Sequence, residues 1–493
     1  MNDGSLAALA AGLAELRQAV TVGAAARMRE WAPLIERDAF DASAANLAAY
    51  LALRRHDLRP LQVDLMGAGL SSLGRLEGRV TANLDAVIWA VDRLSGKDTA
   101  ERVAFERFFA GQASLVRNTD AVFGPRSLPR RVRIVVTLPS DAAADGTLLV
   151  DLLEAGADVC RINCAHDDPE AWARMAANAR AASARTGRPV RVLMDLAGPK
   201  IRTGAMEASV RKPRLRTGDL LLLHRPDAPP TSGWQTSASV AMACQVPEIL
   251  AQLRAGDRVF IDDGKLAAVV ETADAGGAWL SVTRAGPKGW RPKSEKGLNF
   301  PDTALAISAL TAKDMADLPQ ALELADLIGY SFVQNAADIR NLQEAMAAVM
   351  PASWQTVPLV AKIETPRAIA QLPSIIVAAA GRQPMAVMIA RGDLAVEIGF
   401  ERLAEMQEEL MWLSEAAHVP VIWATQVLEQ LVKKGLPSRG EMTDAAMAVR
   451  AEAVMLNKGP FVVEGVSALD RLLTRMADHQ DKKTPKLRAL GTW

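Results

Sequence analysis

The sequence predicts an α/β protein whose centre is a closed (β/α)8 barrel, the TIM barrel architecture. The first observation is a rhythm: from about residue 132 onwards, short apolar runs typical of buried parallel strands alternate with helix-like stretches. The second is one break in that rhythm, from about 203 to 300, where short β-like segments and turns replace it. Eight strands interleaved with helices are what a closed barrel requires. The predicted strands begin near residues 132, 157, 190, 327, 358, 385, 420 and 453.

The segment before the barrel, residues 1 to about 128, is predicted to be helical. Leu, Ala, Val and Met recur there at spacings of three and four, with charged residues between them. We expect several helices and no strand, with a boundary marked by Gly124, Pro125 and Pro129. No motif indicates what this segment does. Its apolar content favours packing or oligomerisation over a free tail.

The first barrel units follow a βαβαβ order. The apolar runs 132–137 and 157–163 are separated by a helix-like stretch that ends at Gly156, and the next helix ends at Gly187 before the third strand. Turns and β-branched residues then favour an antiparallel insertion, a small β-barrel that hangs over one end of the main barrel. The predicted domains are a helical region over 1–128, the barrel over 129–202 and 301–493, and the inserted β domain over 203–300.

Composition excludes several classes of protein. Lys plus Arg and Asp plus Glu both number 57, so the chain lacks the basic footprint of a nucleic-acid binder. Its 3 cysteines are too few for a disulfide framework and do not have zinc-site spacing, which favours a reducing compartment. We find no signal peptide and no window of about 20 apolar residues that could span a membrane. We therefore expect a cytoplasmic protein with neither nucleic-acid nor membrane partners.

Charged and polar residues follow the predicted strands at their carboxyl ends. In the segment 386–399, a buried strand leads into the charged turn Arg391-Gly392-Asp393, and Lys362 and Glu364 follow the strand before it. Barrel enzymes place their chemistry at this end. Two carboxylates with a lysine and an arginine would suit a divalent cation and an anionic substrate. The strand-end residues are Arg161, Asn163, Asp195, Ser331, Lys362, Glu364, Asp393 and Thr425.

Nine stretches between residues 130 and about 475 resemble the pyruvate kinase family, in the family's order. The resemblance implies a barrel with a β domain inserted after strand three. It also implies transfer of a phosphoryl group between phosphoenolpyruvate and ADP, giving pyruvate and ATP. The stretches are RRVRIVVT, LLEAGADVCRINCAH, LMDLAGPKIRTG, GDRVFIDDGKL, KGLNFPD, AKIETP, MIARGDLAVEIG, PVIWATQVLE and LPSRGEMTDAAMAV.

The resemblance implies roles for six positions at or next to the strand ends. Glu364 and Asp393 would hold Mg2+ or Mn2+, a hard ion suited to one or two carboxylates plus substrate oxygens. Lys362 and Arg161 would contact the migrating phosphoryl group. The main chain at Gly392 and Asp393 would meet the substrate carboxylate. Thr425 matches a position that contacts substrate and is implicated in protonating the enolate.

Further positions match the family's nucleotide and monovalent-cation sites. Arg202 and Lys296 match nucleotide-phosphate contacts, and His166 would approach the nucleotide or be a loop histidine with no other role. Asn163 and Asp195 match ligands of the family's K+.

The chain departs from the family pattern at that K+ site. Where the family usually has the motif NFSH, this chain has Asn163-Cys164-Ala165-His166. Where the family usually has DTKGPE, this chain has DLAGPK, from Asp195 to Lys200. Two hydroxyl groups are therefore lost, and a lysine replaces an acid. We predict that the Lys200 ammonium substitutes for K+ and that activity does not require K+. The alternative is that Lys200 pairs with a surface acid.

Other departures concern proton delivery and assembly. Asn457 stands where the family has a serine linked to the proton path, and an amide cannot relay a proton as a hydroxyl does. The chain ends about twenty residues past the barrel, so we expect the family's C-terminal regulatory domain to be absent. The helical region before the barrel has no family counterpart. We expect a homo-oligomer.

Three functions remain open on sequence grounds. The first is an active, Mg2+-dependent pyruvate kinase. The second is a catalytically weak homologue that senses phosphoenolpyruvate or nucleotide, with the N-terminal helices as its output. The third is another Mg2+-assisted enolate chemistry on the same barrel, such as carbon-carbon cleavage, which a nucleotide lid argues against.

Overall fold

A closed barrel of eight parallel strands lies at the centre of the computed structural model, which describes residues 3–227, 234 and 238–487. The strand order around the barrel is β1-β15-β14-β13-β12-β11-β3-β2. Each strand begins within two residues of its predicted start, so the predicted barrel is confirmed. Its strands are β1 (Arg133–Thr137), β2 (Val159–Asn163), β3 (Arg191–Asp195), β11 (Leu327–Tyr330), β12 (Leu359–Ile363), β13 (Met385–Ala390), β14 (Val421–Ala424) and β15 (Ala453–Leu456).

The insertion after β3 is a seven-stranded sheet with its own hydrophobic core. Its strand order is β10-β7-β8-β9-β5-β6-β4. The expected antiparallel pairing holds for every neighbouring pair except β5 and β6, which run parallel. The strands are β4 (Thr203–Ala208), β5 (Leu220–His224), β6 (Val240–Cys244), β7 (Arg258–Ile261), β8 (Leu266–Ala273), β9 (Gly277–Arg284) and β10 (Leu298–Asn299). The exact domain limits stay a prediction.

Helices surround the barrel and precede it, and several begin with the side-chain caps that their sequences favour. Thr311, Asn335 and Ser438 each form a capping box with the acid three residues later. The described α-helices are α1 (Asp3–Trp31), α2 (Asp38–Leu53), α3 (Arg59–Gly67), α4 (Val80–Leu94), α5 (Phe105–Phe123), α6 (Thr147–Ala155), α7 (Pro169–Thr186), α8 (Ala312–Leu324), α9 (Ala336–Val349), α10 (Pro366–Ala370), α11 (Leu372–Ala380), α12 (Arg391–Ile398), α13 (Phe400–Ala416), α14 (Glu429–Lys434), α15 (Arg439–Met447) and α16 (Val462–Met476).

The region before the barrel holds helices α1 to α5 and, over residues 3–123, no strand, as predicted. Helices α1 to α4 share one hydrophobic core with the barrel helices. Polar contacts fasten them as well: the Asn46 side chain donates to the carbonyl oxygens of Glu77 and Ala416 and accepts from the Val80 N–H. The region therefore packs on the barrel, as its apolar content indicates.

The end of α5 closes one end of the barrel. Val122 and Phe123 are buried among side chains of the barrel interior, including those of Leu327 and Ala453, the first residues of β11 and β15. Gly124 then ends the helix with a φ of 84°, a conformation that glycine adopts without steric cost. The amino ends of the barrel strands are thus covered, and the carboxyl ends face the inserted sheet.

A short antiparallel hairpin of β16 (Gln480–Asp481) and β17 (Thr484–Pro485) follows the last helix. Among the helices of the described ranges, none combines the length and apolar character needed to cross a membrane.

Candidate active site

A cavity of about 250 Å³ lies at the carboxyl ends of the barrel strands. Strand ends and the loops that follow them supply its walls, because all eight strands point the same way. Most of the residues predicted from sequence meet here. Those that line the cavity are Arg161, Asn163, His166, Lys200, Arg202, Ser331, Lys362, Glu364, Asp393, Thr425 and Asn457.

Arg161, in β2, is held by the buried carboxylate of Asp195. Its Nε donates to Asp195 Oδ2 at 2.8 Å, its Nη2 donates to the same oxygen, and its Nη1 donates to Thr137 Oγ1 at 3.0 Å. Burial by itself raises the pKa of Asp195, but the charges of Lys362 and Arg161 outweigh it and hold that pKa below its ordinary value. Asp195 is therefore an ionised support that fixes the guanidinium.

Lys362, in β12, is a buried ammonium with several oxygen partners. Its Nζ donates to Ser331 Oγ at 2.7 Å and lies 3.2 Å from Glu364 Oε1 and 3.3 Å from Asp195 Oδ2. Burial lowers the pKa of Lys362, whereas Asp195 and Glu364 raise it, and the net pKa is above the ordinary value. The side chain is therefore a fixed positive charge at neutral pH.

Glu364 and Asp393 bring two carboxylates to one cavity. Glu364 Oε2 accepts from the Phe332 N–H at 2.6 Å, and Asp393 Oδ1 lies 3.2 Å from Lys200 Nζ. The pKa of Glu364 is raised, first by burial and also by the charge of Asp393, although Lys362 opposes this. Bringing a cation between them would relieve that repulsion.

This donor set fits Mg2+. Two carboxylates are what Mg2+ commonly takes from a protein, with water and substrate oxygens completing the octahedron. No cluster of three or more His, Cys, Asp or Glu with metal-binding geometry occurs in the part of the chain that the structure describes. Glu364 and Asp393 would therefore hold the ion, and most of its other ligands would come from substrate and water.

Thr425, just after β14, faces the start of α12. Its Oγ1 accepts from the Gly392 N–H at 2.6 Å, so its own hydroxyl proton remains for another acceptor. Thr425 and Gln426 have φ angles of 65° and 57°, a left-handed conformation that is unfavourable for a β-branched residue. Strain of this kind persists where surrounding contacts enforce it.

Arg391 supplies those contacts rather than binding substrate. Its Nε donates to the Ala424 carbonyl at 3.0 Å and its Nη2 to the Thr425 carbonyl at 2.7 Å. The guanidinium also pairs with Asp444 at 2.5 Å and lies 4.6 Å from the Trp423 ring centroid. The expectation that this arginine would join the anion site is wrong, because the carbonyl groups at the end of β14 and the Asp444 carboxylate hold its guanidinium outside the cavity walls.

The sequence model of the pyruvate kinase barrel domain matches residues 129–463, which is more than half of the chain. The chain belongs to the pyruvate kinase family. It is 35% identical over 334 residues to the pyruvate kinase of Corynebacterium efficiens, an alignment covering 67% of this chain and 65% of that one. It is 33% identical over 365 residues to the pyruvate kinase of Mycobacterium intracellulare, an alignment covering 73% of this chain and 72% of that one. The aligned part thus spans about two thirds of these relatives, and the predicted family of phosphotransferases is confirmed.

The nucleotide residues predicted by resemblance to pyruvate kinases are only partly together. Arg202 and the exposed His166 line the cavity, whereas Lys296 lies in the inserted sheet with its Nζ 3.0 Å from Asp262 Oδ1. Burial, Lys458 and Arg202 lower the pKa of His166. With this lowered pKa, His166 is neutral at pH 7. The nearby charges of Lys458 and Arg202 make its surroundings cationic, which suits an anionic ligand.

Lys200, the predicted substitute for K+, lies at the cavity beside Asp393. Its ammonium pairs with Asp393, and among the described residues it forms no hydrogen bond or ion pair with Asn163 or Asp195. Asp195 Oδ1 has no hydrogen-bond partner among the described residues and faces Gly329, where an added Cβ would lie 2.5 Å from it. The cation of Lys200 and the buried carboxylate are therefore separate in this structure.

Sequence reasoning missed three residues that shape the site. Thr137 ends β1 and orients Arg161, so the strand-end rule could have found it. Phe332 supplies a backbone N–H from a left-handed residue with a φ of 56°, and Asp444 lies on a helix after β14. The sequence around Phe332 gives no sign of its role, because any residue except proline could supply the backbone N–H. The sequence around Asp444 gives none either, because its ion-pair partner is far away along the chain.

Proposed function

We propose that this protein is a pyruvate kinase that transfers a phosphoryl group between phosphoenolpyruvate and ADP, with Mg2+ or Mn2+ bound. The observation that carries the proposal is the buried Lys362 ammonium beside Glu364 at the cavity, with Asp393 and Arg161 in the same walls. Phosphoryl transfer asks a protein chiefly for positioning and for charge neutralisation. This set of side chains supplies both.

The phosphate of phosphoenolpyruvate binds between Arg161 and Lys362 in this proposal. Arg161 spends three of its five N–H donors on Asp195 and Thr137, which leaves two for phosphate oxygens. Lys362 adds a compact charge at the migrating group. Glu364 and Asp393 would hold a divalent cation, which would supply further neutralisation of substrate oxygens. The bond between phosphorus and the enol oxygen breaks as a new one forms to an ADP oxygen.

The enolate left behind takes up a proton at its terminal carbon to become pyruvate. Thr425 has a hydroxyl proton that is not committed to Gly392, and it lines the cavity together with Asn457. We assign delivery of the proton to Thr425, with resupply from water. Asn457 can hold such a water but cannot itself relay the proton.

Nucleotide binding involves Arg202 and His166 at the cavity and Lys296 on the inserted sheet. Lys296 is paired with Asp262 in this structure, so it must leave that carboxylate to meet a nucleotide phosphate. Movement of an inserted domain over bound substrate is a common way of excluding water. The homo-oligomer and the cytoplasmic location stay predictions.

The release of pyruvate from phosphoenolpyruvate, with and without ADP, tests the function. We expect turnover only with ADP, and we expect Lys362→Met to lower kcat by at least about a hundredfold, because it removes a preorganised charge. Lys97→Met is the matched control, since that lysine is exposed in the N-terminal region and should leave kcat unchanged. Turnover without ADP would favour other enolate chemistry, and no turnover under any condition would favour a sensor.

We further propose that the activity is independent of K+. The basis is the loss of two hydroxyl ligands together with the gain of Lys200, whose ammonium sits at the cavity next to Asp393. In tetramethylammonium buffers, adding KCl should leave native turnover unchanged, whereas Lys200→Gln should lower turnover and make it respond to KCl. A large stimulation of the native chain by K+ would contradict the proposal.

A further inference from the structure

A second and larger cavity, of about 640 Å³, lies at the other end of the barrel. Its walls come from the N-terminal helices, the hairpin β16–β17 and residues at the amino ends of barrel strands. Arg133 begins β1, and Glu452 directly precedes β15. The candidate active site is at the opposite ends of the same strands, so the two cavities are separate.

The walls of this cavity carry an excess of positive charge. Of the described residues that line it, eight are Lys or Arg and five are Asp or Glu. Four of the carboxylates are already paired within the walls, and none of them forms an ion pair with Arg75, Arg79 or Arg126. These pairs are Glu77 with Lys483, Asp120 with Arg133, Glu452 with Arg131 and Lys482, and Asp481 with Arg131.

The side chains of three arginines in the walls, Arg75, Arg79 and Arg126, form no hydrogen bond or ion pair with any described residue. Arg79 is half-buried, and its guanidinium lies 4.7 Å and 5.1 Å from the ring centroids of Phe108 and Phe109. The rings hold the guanidinium in place without using its N–H donors. Because the Arg79 guanidinium is only half-buried and its donors have no acceptor among the described residues, they are available to an anionic ligand.

Arg75 and Arg79 also repel one another. Burial lowers the pKa of Arg79, and the nearby charge of Arg75 lowers it further, although Glu415 acts in the opposite direction. A ligand carrying two negative charges would neutralise both guanidinium groups, which a single carboxylate cannot do. The planar fork of N–H donors on arginine matches phosphate oxygens in particular.

We propose that this cavity binds a small organic phosphate. Arg75 and Arg79 hold the phosphate, and the body of the ligand lies along the apolar wall formed by Phe109, Leu115 and Val116. The Glu415 carboxyl group, which has no hydrogen bond or ion pair among the described residues, is a partner for a hydroxyl group of the ligand. The volume is within the range of pockets that enclose small ligands, about 300–1,000 Å³.

Isothermal titration calorimetry with inorganic phosphate and with ribose 5-phosphate tests the proposal, with ribose as the neutral control. We expect both phosphates, but not ribose, to bind the native chain. Arg75→Gln and Arg79→Gln should each weaken this binding at least tenfold. Arg75 is exposed, so its replacement leaves the fold intact even if Arg79→Gln lowers the melting temperature.

Two further variants separate this cavity from the active site. Binding should persist in Lys362→Met, where the candidate active site is disabled, and in Arg29→Gln, which removes an exposed arginine that lies outside the cavity. No binding of either phosphate to the native chain, or equal affinity in Arg75→Gln and the native chain, would overturn the proposal. Loss of all phosphate binding in Lys362→Met would also overturn it. None of these results depends on whether the chain turns over phosphoenolpyruvate.

Discussion

Arg391 shows what a single residue's position in sequence does and does not reveal. The apolar run before it predicts a strand end, and the structure has it directly after β13. The direction of its side chain depends on Asp444, which is 53 residues away and has no local signal. Residues whose location at the cavity follows from backbone position, such as Lys362 and Glu364, were therefore predictable. Residues that act through distant partners, such as Asp444, were not.

The pairing of Arg391 with Asp444 should matter for both stability and turnover. We predict that Asp444→Asn lowers the free energy of unfolding by about 1–3 kcal/mol, because it weakens a charged hydrogen bond to a buried guanidinium. It should also lower kcat, because Arg391 holds the Thr425 carbonyl. Urea denaturation and steady-state assays measure the two effects. Asp478→Asn, at an exposed site, is the control. If Asp444→Asn matches this control in both assays, the ion pair between Arg391 and Asp444 is needed for neither stability nor turnover.

At the scale of an element, helix α13 places an acidic residue in the wall of the larger cavity. Burial raises the pKa of Glu415 to about 7 from an ordinary value of 4.5, with Glu77 and Glu452 adding to the shift and Lys482 and Lys483 opposing it. The unfolded chain ionises this carboxyl group at lower pH than the folded chain does. Its ionisation therefore costs the native chain stability as pH rises from about 4.5 to about 7, and the full cost is present above that range.

Replacing this carboxyl group should remove the cost. We predict that Glu415→Gln has the same free energy of unfolding as the native chain near pH 4.5 and exceeds it by about 1–3 kcal/mol at pH 8. Chemical denaturation across this pH range measures the difference. Glu401→Gln, at an exposed position of the same helix, should show no such trend. A difference for Glu415→Gln that does not change with pH would contradict the raised pKa.

At the scale of the whole molecule, the barrel was predictable because its strands are apolar on both faces and alternate with amphipathic helices. The apolar content of the N-terminal helices favours packing, but where they dock was not predictable, because it depends on contacts such as that of Arg37 Nη1 with the Ala380 carbonyl, 343 residues apart. The parallel pairing of β5 with β6 likewise follows from the path of the chain rather than from local pattern. The larger cavity lies between segments that are far apart in sequence.

Because α5 closes the barrel, the N-terminal region and the barrel should unfold together. We predict that Phe123→Ala costs about 3–5 kcal/mol, since it leaves a hole among buried side chains at the amino ends of the strands. Denaturant unfolding followed by circular dichroism and by tryptophan fluorescence should show one coincident transition. Phe105→Ala is the control, because that side chain is 72% exposed. Two separate transitions would mean that the helices form an independent unit.

Phosphoryl transfer at the carboxyl ends of the barrel strands is measured most directly by counting both products in one sample. ATP and pyruvate formed from phosphoenolpyruvate, ADP and Mg2+ can be quantified together by phosphorus and proton NMR. We predict equal amounts of the two products from the native chain, and at least about a hundredfold slower formation of both by Lys362→Met. Pyruvate without ATP, or ATP formation by Lys362→Met at the native rate, would contradict the assignment of this cavity as the site of phosphoryl transfer.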